Sequence, residues 1–291
     1  MSDEYIDVEQ VLGAEFEPTS FTYNDRDVIL YALGVGAAAD PLDPQELAFA
    51  YEGSGFKVLP TFAVIFPAEM SLRFLSIPGL KFNPMLLLHG EHYLEVMKPL
   101  PTAARVTSRG RISQVYDKGR GALILVDVTT QDKSGDVLAF NQSSIFIRGI
   151  GGFGGDRGPS TSQLNLPPNR EPDAVHEQSI PANQALLYRL SGDRNPLHAD
   201  PAMAAIGGYE RPILHGLCSF GYATRAVLKL FAANDPARFK SIKTRFAKHF
   251  FPGETLVTEM WDAGNDEIIF RSKAAERNEF VLTNSKIELR K

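Results

Sequence analysis

Apolar residues along this chain of 291 residues fall into two alternating kinds of pattern. The first has helical spacing, over about 25–37, 181–191 and 214–233. In the last of these, Leu217, Phe220, Tyr222, Ala223, Val227, Leu228 and Phe231 line one face. The second has a period of two, over 105–115, 121–130 and 137–148, and again over 254–261, 268–273 and 279–290. Lys286-Ile-Glu-Leu-Arg290 shows the alternation clearly, which predicts antiparallel strands with one wet face. Helix followed by antiparallel sheet, occurring twice, is an α+β pattern.

Between the two sets, Arg148 to His176 is rich in Gly, Pro and Ser and has no apolar periodicity, which predicts a linker. The expected organisation is an N-terminal unit over 1–148, a linker over 149–176 and a C-terminal unit over 177–291. The units share residues. Ile29-Leu-Tyr-Ala-Leu-Gly34 parallels Leu186-Leu-Tyr-Arg-Leu-Ser191, so Tyr31 matches Tyr188 at an offset of 157 residues. Asp43-Pro44 matches Asp200-Pro201 at the same offset, which marks an internal duplication.

Composition removes several function classes. A net charge of −5 without Lys/Arg blocks argues against a nucleic-acid partner. No apolar run approaches the roughly 18 residues that span a bilayer. The lone Cys218 leaves no intrachain disulfide and suits a reducing compartment. The acidic start Met1-Ser-Asp-Glu-Tyr5 lacks a secretory pattern, and the ending Leu289-Arg-Lys291 is not a Ser-Lys-Leu-type peroxisomal address.

Candidate chemistry concentrates in Tyr188-Arg-Leu-Ser-Gly-Asp-Arg-Asn-Pro-Leu-His198. Asn195-Pro196 is a turn signal, so Asp193 and His198 share a folded-back loop, an arrangement suited to proton transfer. Asp200-Pro201 supplies an N-cap and a first-turn proline for a short helix directly afterwards. Taken alone, such a pair is more often solvated or capping than catalytic. His215 before Gly216 is open between structure and function, and His92, His176 and His249 give no reason to prefer function. Gly216 opens the long apolar helix, where backbone N–H groups lack partners and the helix dipole favours negative charge. Gly149-Ile-Gly-Gly-Phe-Gly154 has the letters of a dinucleotide fingerprint, but Gly155-Asp-Arg-Gly-Pro159 cannot open the helix that the motif requires. No His, Cys, Asp and Glu set has metal-ligand spacing, so no metal is expected.

The 188–198 string resembles the signature of the 2-enoyl-CoA hydratase 2 (MaoC-like) family. The likeness extends through Leu88-His-Gly-Glu91, Lys98-Pro-Leu-Pro101, Pro212-Ile-Leu-His-Gly-Leu-Cys218, Arg245-Phe-Ala-Lys248, Pro252-Gly253 and Glu259-Met-Trp261. It covers most of the chain and is similar to the hydratase 2 domain of peroxisomal multifunctional enzyme type 2. The resemblance implies a double hot dog, in which each sheet wraps a central helix and the two sheets join. It implies (R)-specific hydration of trans-2-enoyl-CoA to (3R)-3-hydroxyacyl-CoA in fatty-acid β-oxidation. Asp193 and His198 would move protons, with Asn195 positioning them and the Gly216 N–H contacting the thioester oxygen. His89, Gly90, Lys118 and Phe246 would contact the substrate, Lys118 at a CoA phosphate. No cofactor is implied, because CoA belongs to the substrate. A homodimer and no membrane partner are expected. A peroxisomal location follows from the resemblance, with the cytoplasm as the alternative and trimming from a larger polypeptide as a way to reconcile the C-terminus. At the 157-residue offset, Asp193 and His198 fall on Gly36 and Pro41, so the N-terminal copy lacks the pair. Its small-residue loop, Gly34-Val-Gly-Ala-Ala-Ala39, is expected to give room to an acyl chain. The alternatives are a hot dog acyl-CoA thioesterase and a non-catalytic acyl-CoA-binding module.

Overall fold

A computed structural model describes residues 4–291. The strands are β1 (Tyr5–Ile6), β2 (Thr19–Tyr23), β3 (Leu80–Lys81), β4 (Leu87–Val96), β5 (Ala104–Asp117) and β6 (Gly121–Asp132). They continue with β7 (Val137–Arg148), β8 (Ala174–Ser179), β9 (Phe239–Phe246), β10 (Thr255–Asp262), β11 (Glu267–Ala274) and β12 (Glu279–Leu289). The helices are α1 (Val8–Val11), α2 (Asp25–Gly34), α3 (Pro44–Leu47), α4 (Met70–Arg73), α5 (Gln184–Tyr188), α6 (Pro201–Ile206) and α7 (Gly216–Phe231).

Ten strands pair antiparallel in the order β2-β5-β6-β7-β4-β9-β12-β11-β10-β8. The order reads as two five-stranded sheets, one from each repeat, joined where β4 meets β9. At that seam Leu94 lies opposite Ile242, and both are fully buried. The period-2 segments of the sequence are strands β5–β7 and β10–β12. Strands β2, β4, β8 and β9 carry no such expectation, and β8 begins at Ala174, inside the span read as linker. With α7 wrapped by the second sheet, this is the α+β double hot dog.

Among the described residues, the expected central helix is present in the second repeat and has no continuous counterpart in the first. α7 buries Phe220, Tyr222, Val227 and Leu228, each worth roughly 1.5–3 kcal/mol as removed apolar surface. Its counterpart begins at Leu59, the match of Gly216, but runs as a 3-10 turn over Pro60–Val64 and ends its regular course at Pro67. Proline lacks the N–H and clashes with the preceding turn, which breaks or kinks an α-helix at a cost of about 3 kcal/mol. The chain resumes as the single turn α4.

The 34–39 loop also differs from expectation. The space left by its small side chains is filled from α7. A Cβ at Gly36 would lie 2.3 Å from Tyr222 Cε1, Arg225 donates to the Val35 carbonyl at 3.0 Å, and Val35 and Ala37 are buried. Arg225 also pairs with Glu46, and both side chains are buried. Lys229 joins them through Glu46 and Asp43.

Candidate active site

The 188–198 segment begins as α5, continues as a 3-10 turn over Arg189–Ser191 and breaks at Gly192. Gly192 has φ +153°, close to the edge of what glycine alone tolerates, and a Cβ there would meet Ala68 and Ile65 at 3.4 Å. The loop then closes on itself. Asp193 Oδ1 accepts the Asn195 N–H at 3.1 Å, and Asn195 Oδ1 accepts the Leu197 N–H at 3.0 Å, capping the 3-10 turn Pro196–His198. Asp200 caps α6 by accepting the Ala202 N–H at 2.8 Å. This local polar bonding explains why Asn and Asp stand at these positions. Asn195 therefore has a turn-forming role.

Asp193 is exposed and His198 is buried. His198 Nδ1 lies 2.9 Å from the Ile213 carbonyl oxygen. A carbonyl only accepts, so Nδ1 carries the proton and Nε2 is left with a free lone pair. Burial pulls the His198 pKa down; the Asp193 charge and the Ile213 bond oppose the fall, and Arg189 adds to it. The imidazole is thus neutral near pH 7, with one basic nitrogen in reach of a carboxylate.

His215 is the third member of the cluster. One ligand atom from each of Asp193, His198 and His215 lies within 4.8 Å of the others, the single group of this kind among the described residues. The two imidazoles stack, with centroids 3.7 Å apart at 29°, so their lone pairs run side by side and do not converge on one point. One nitrogen of each is also directed at a carbonyl oxygen. That geometry suits proton transfer better than metal binding.

The first repeat contributes through β4. Its register with β7 shifts between His89 and Glu91, making Gly90 the extra residue of a β-bulge. The bulge puts His89 and His92, three apart, on the same side with rings 5.3 Å apart. In a regular strand they would face opposite ways. His92 has both nitrogens engaged, Nδ1 with Ser143 at 3.2 Å and Nε2 with Asn141 at 3.1 Å, as a core histidine. His89 Nε2 is shielded from solvent and has no protein partner among the described residues. Burial draws the His89 pKa down to about 4, opposed by the Asp193 carboxylate across the repeat boundary.

The His89 ring lies 4.8 Å from Phe246 on β9. A Cβ at Gly216 would meet Phe246 Cδ1 at 3.0 Å, so glycine lets the ring come close to the start of α7. The Gly216 N–H belongs to the first turn, where the helix itself offers no acceptor. Lys118 stands apart from this group: it donates to the Arg157 carbonyl and lies 5.6 Å over the Tyr116 ring. The adjoining glycine run wraps a carboxylate of the protein itself. Asp117 accepts the Gly119, Gly152 and Gly154 N–H groups at 2.7, 2.9 and 2.7 Å. Those bonds, that from Gly152 foremost, hold the Asp117 carboxyl below its usual pKa.

Comparison with known proteins fits this geometry. Residues 21–149 match the model of the MFE-2 hydratase 2 N-terminal domain, and residues 163–284 match that of the MaoC like domain. A probable enoyl-CoA hydratase 2 from Dictyostelium discoideum is 46% identical over 284 residues, covering 96% of this chain and 95% of the relative. Peroxisomal multifunctional enzyme type 2 from Mus musculus is 45% identical over 282 residues, covering 96% of this chain but 38% of that longer protein. A crystal structure of a MaoC-like dehydratase from Phytophthora capsici superposes with TM-score 0.89 at 34% identity, covering 98% of each chain.

Proposed function

The chain belongs to the MaoC-like hydratase 2 family, and on that premise we propose that it adds water to trans-2-enoyl-CoA, giving (3R)-3-hydroxyacyl-CoA. It is a hydro-lyase of fatty-acid β-oxidation, and the same site serves the reverse dehydration. The observation that carries this reading is the His198 imidazole, locked by Ile213 with its basic Nε2 free and the Asp193 carboxylate beside it.

The chemistry follows from the substrate. Conjugation with the thioester carbonyl makes C3 electrophilic, so an oxygen–carbon bond forms there as a water proton leaves. His198 Nε2 takes that proton. The electron pair of the double bond moves toward the carbonyl oxygen, where the Gly216 N–H stabilises it, an interaction worth roughly 3–4 kcal/mol in comparable oxyanion sites. The proton taken up by His198 passes to C2 by way of Asp193, so the oxygen and the proton added both come from one water, and Asn195 orients that water. His89 and Phe246 line the thioester, Gly90 sets the aim of His89, and Lys118 is assigned to a CoA phosphate. The reaction is redox-neutral and uses CoA only as part of the substrate, so it needs no electron-carrying cofactor.

A homodimer and a peroxisomal location belong to the same reading, the latter supported by relatives named as peroxisomal. The test is the loss of enoyl-thioester absorbance with trans-2-decenoyl-CoA, with chiral analysis of the product. Formation of (R)-3-hydroxydecanoyl-CoA is expected. Release of free CoA thiol would make the protein a thioesterase, and binding without turnover would make it an acyl-CoA-binding module.

A further inference from the structure

His215 links the two parts of the site that hydration must keep in register. Its backbone is the N-cap of α7, one residue before the Gly216 N–H. Its side chain reaches back to the proton-transfer loop. Nε2 lies 3.1 Å from the Asp193 main-chain oxygen, and because a carbonyl only accepts, Nε2 holds the proton and donates it. The ring stacks on His198 at 3.7 Å and meets Tyr188 at 4.8 Å. Only 1% of the residue is exposed.

The loop has few other anchors. Arg189, Asp193 and Asn195 bond within it. Among the described residues, the hydrogen bonds from 189–198 to a distant part of the chain are two, His198 to Ile213 and His215 to Asp193. Both end in the three residues that lead into α7. One fixes the base, and the other fixes the backbone that carries the acid.

We propose that His215 is a positioning residue of the hydration centre, holding the Asp193 carboxylate in register with His198 and the Gly216 N–H. This rests on the hydratase reading. His215 acts through Asp193 and exchanges no proton with the substrate. The titratable and charged groups facing it are Asp193 and His198 from the loop, Arg189 from the preceding 3-10 turn and Tyr188 from α5. Burial, reinforced by His198, draws the His215 pKa down to about 3. His215 therefore stays uncharged while His198 takes up its proton. A displacement of about 1 Å in such a site costs on the order of a hundredfold in rate, which is what a lost anchor would produce.

Two variants separate the anchor from mere packing. His215→Phe keeps a ring over His198 but cannot donate to Asp193. His215→Gln gives up the ring and keeps an N–H at the reach of Nε2. With trans-2-decenoyl-CoA, His215→Phe should lower kcat about tenfold to a hundredfold with KM changed less than about threefold. His215→Gln should restore kcat to within about fivefold of the parent protein. Thermal midpoints are measured on all three proteins. Near-normal kcat in His215→Phe would overturn the inference, as would equal losses in both variants accompanied by a lowered midpoint. If the parent protein itself hydrates no enoyl-CoA, it is the hydratase reading that falls, taking the inference with it.

Discussion

The ring of Tyr222 fills the space that a side chain at Gly36 would need, Cε1 lying 2.3 Å from where the Cβ would be. Gly36 stands where the 157-residue offset puts Asp193, so the N-terminal repeat has no carboxylate there, and the central helix of the other repeat fills the space. Gly36→Ala should therefore cost about 1–3 kcal/mol by overpacking, with added strain from φ +75°. Urea unfolding checks this, and an unchanged midpoint would show that the Tyr222 ring yields freely.

Asp193→Asn and His198→Asn should each reduce kcat/KM about 10²–10⁴-fold while the fold persists. Asp193 is exposed and His198 bonds the structure through one nitrogen, so circular dichroism should match the parent. Either variant turning over at the parent rate would remove that residue from the mechanism.

The pH profile follows from the direction of the His198 shift. Burial lowers its pKa, so the imidazole remains a base at pH values where a free histidine is half protonated. The acid limb of kcat/KM should fall below pH 6.5, and a limb above that value would contradict His198 as the base.

Stability should follow the buried histidines in the same direction. Burial draws His89 to about 4 and both His92 and His215 to about 3. The unfolded chain binds protons at these positions below pH 6.5, and the folded chain does not until far lower pH. Stability is then fully present above pH 6.5 and is lost as pH falls toward 4, by about 1.4 kcal/mol per pH unit for each proton. Urea midpoints at pH 7 and pH 5 test this, and equal values would mean that these rings charge within the fold.

Arg225→Met leaves Glu46 buried without its guanidinium and the Val35 carbonyl without its donor. Breaking a buried pair from one side costs about 3–5 kcal/mol. Replacing both partners, as in Glu46→Leu with Arg225→Met, should recover most of the loss. A double variant as unstable as the single one would assign the effect to packing around α7.

Much of this architecture is legible in the chain itself. Alternation marked β5–β7 and β10–β12 because those strands keep one face on an apolar core, and the 157-residue offset exposed the duplication. Tyr31 and Tyr188 do meet as counterparts, with ring centroids 6.1 Å apart, and Asp43 and Asp200 each cap a helix that opens with proline. The Asp193-to-His198 loop was readable because its geometry is local, made by Asx bonds and a proline turn within six residues. Strand β4 was not, since a bulge at Gly90 breaks its alternation. Tertiary structure alone decided what lies between distant segments. It set His89 of one repeat beside Phe246 and Asp193 of the other, turned the glycine run around Asp117 and filled the 34–39 loop with Tyr222. It also brought His215 onto His198. Short-range bonding and periodicity are written in neighbouring residues; contacts across more than a hundred residues depend on how the two sheets join and pack their helices.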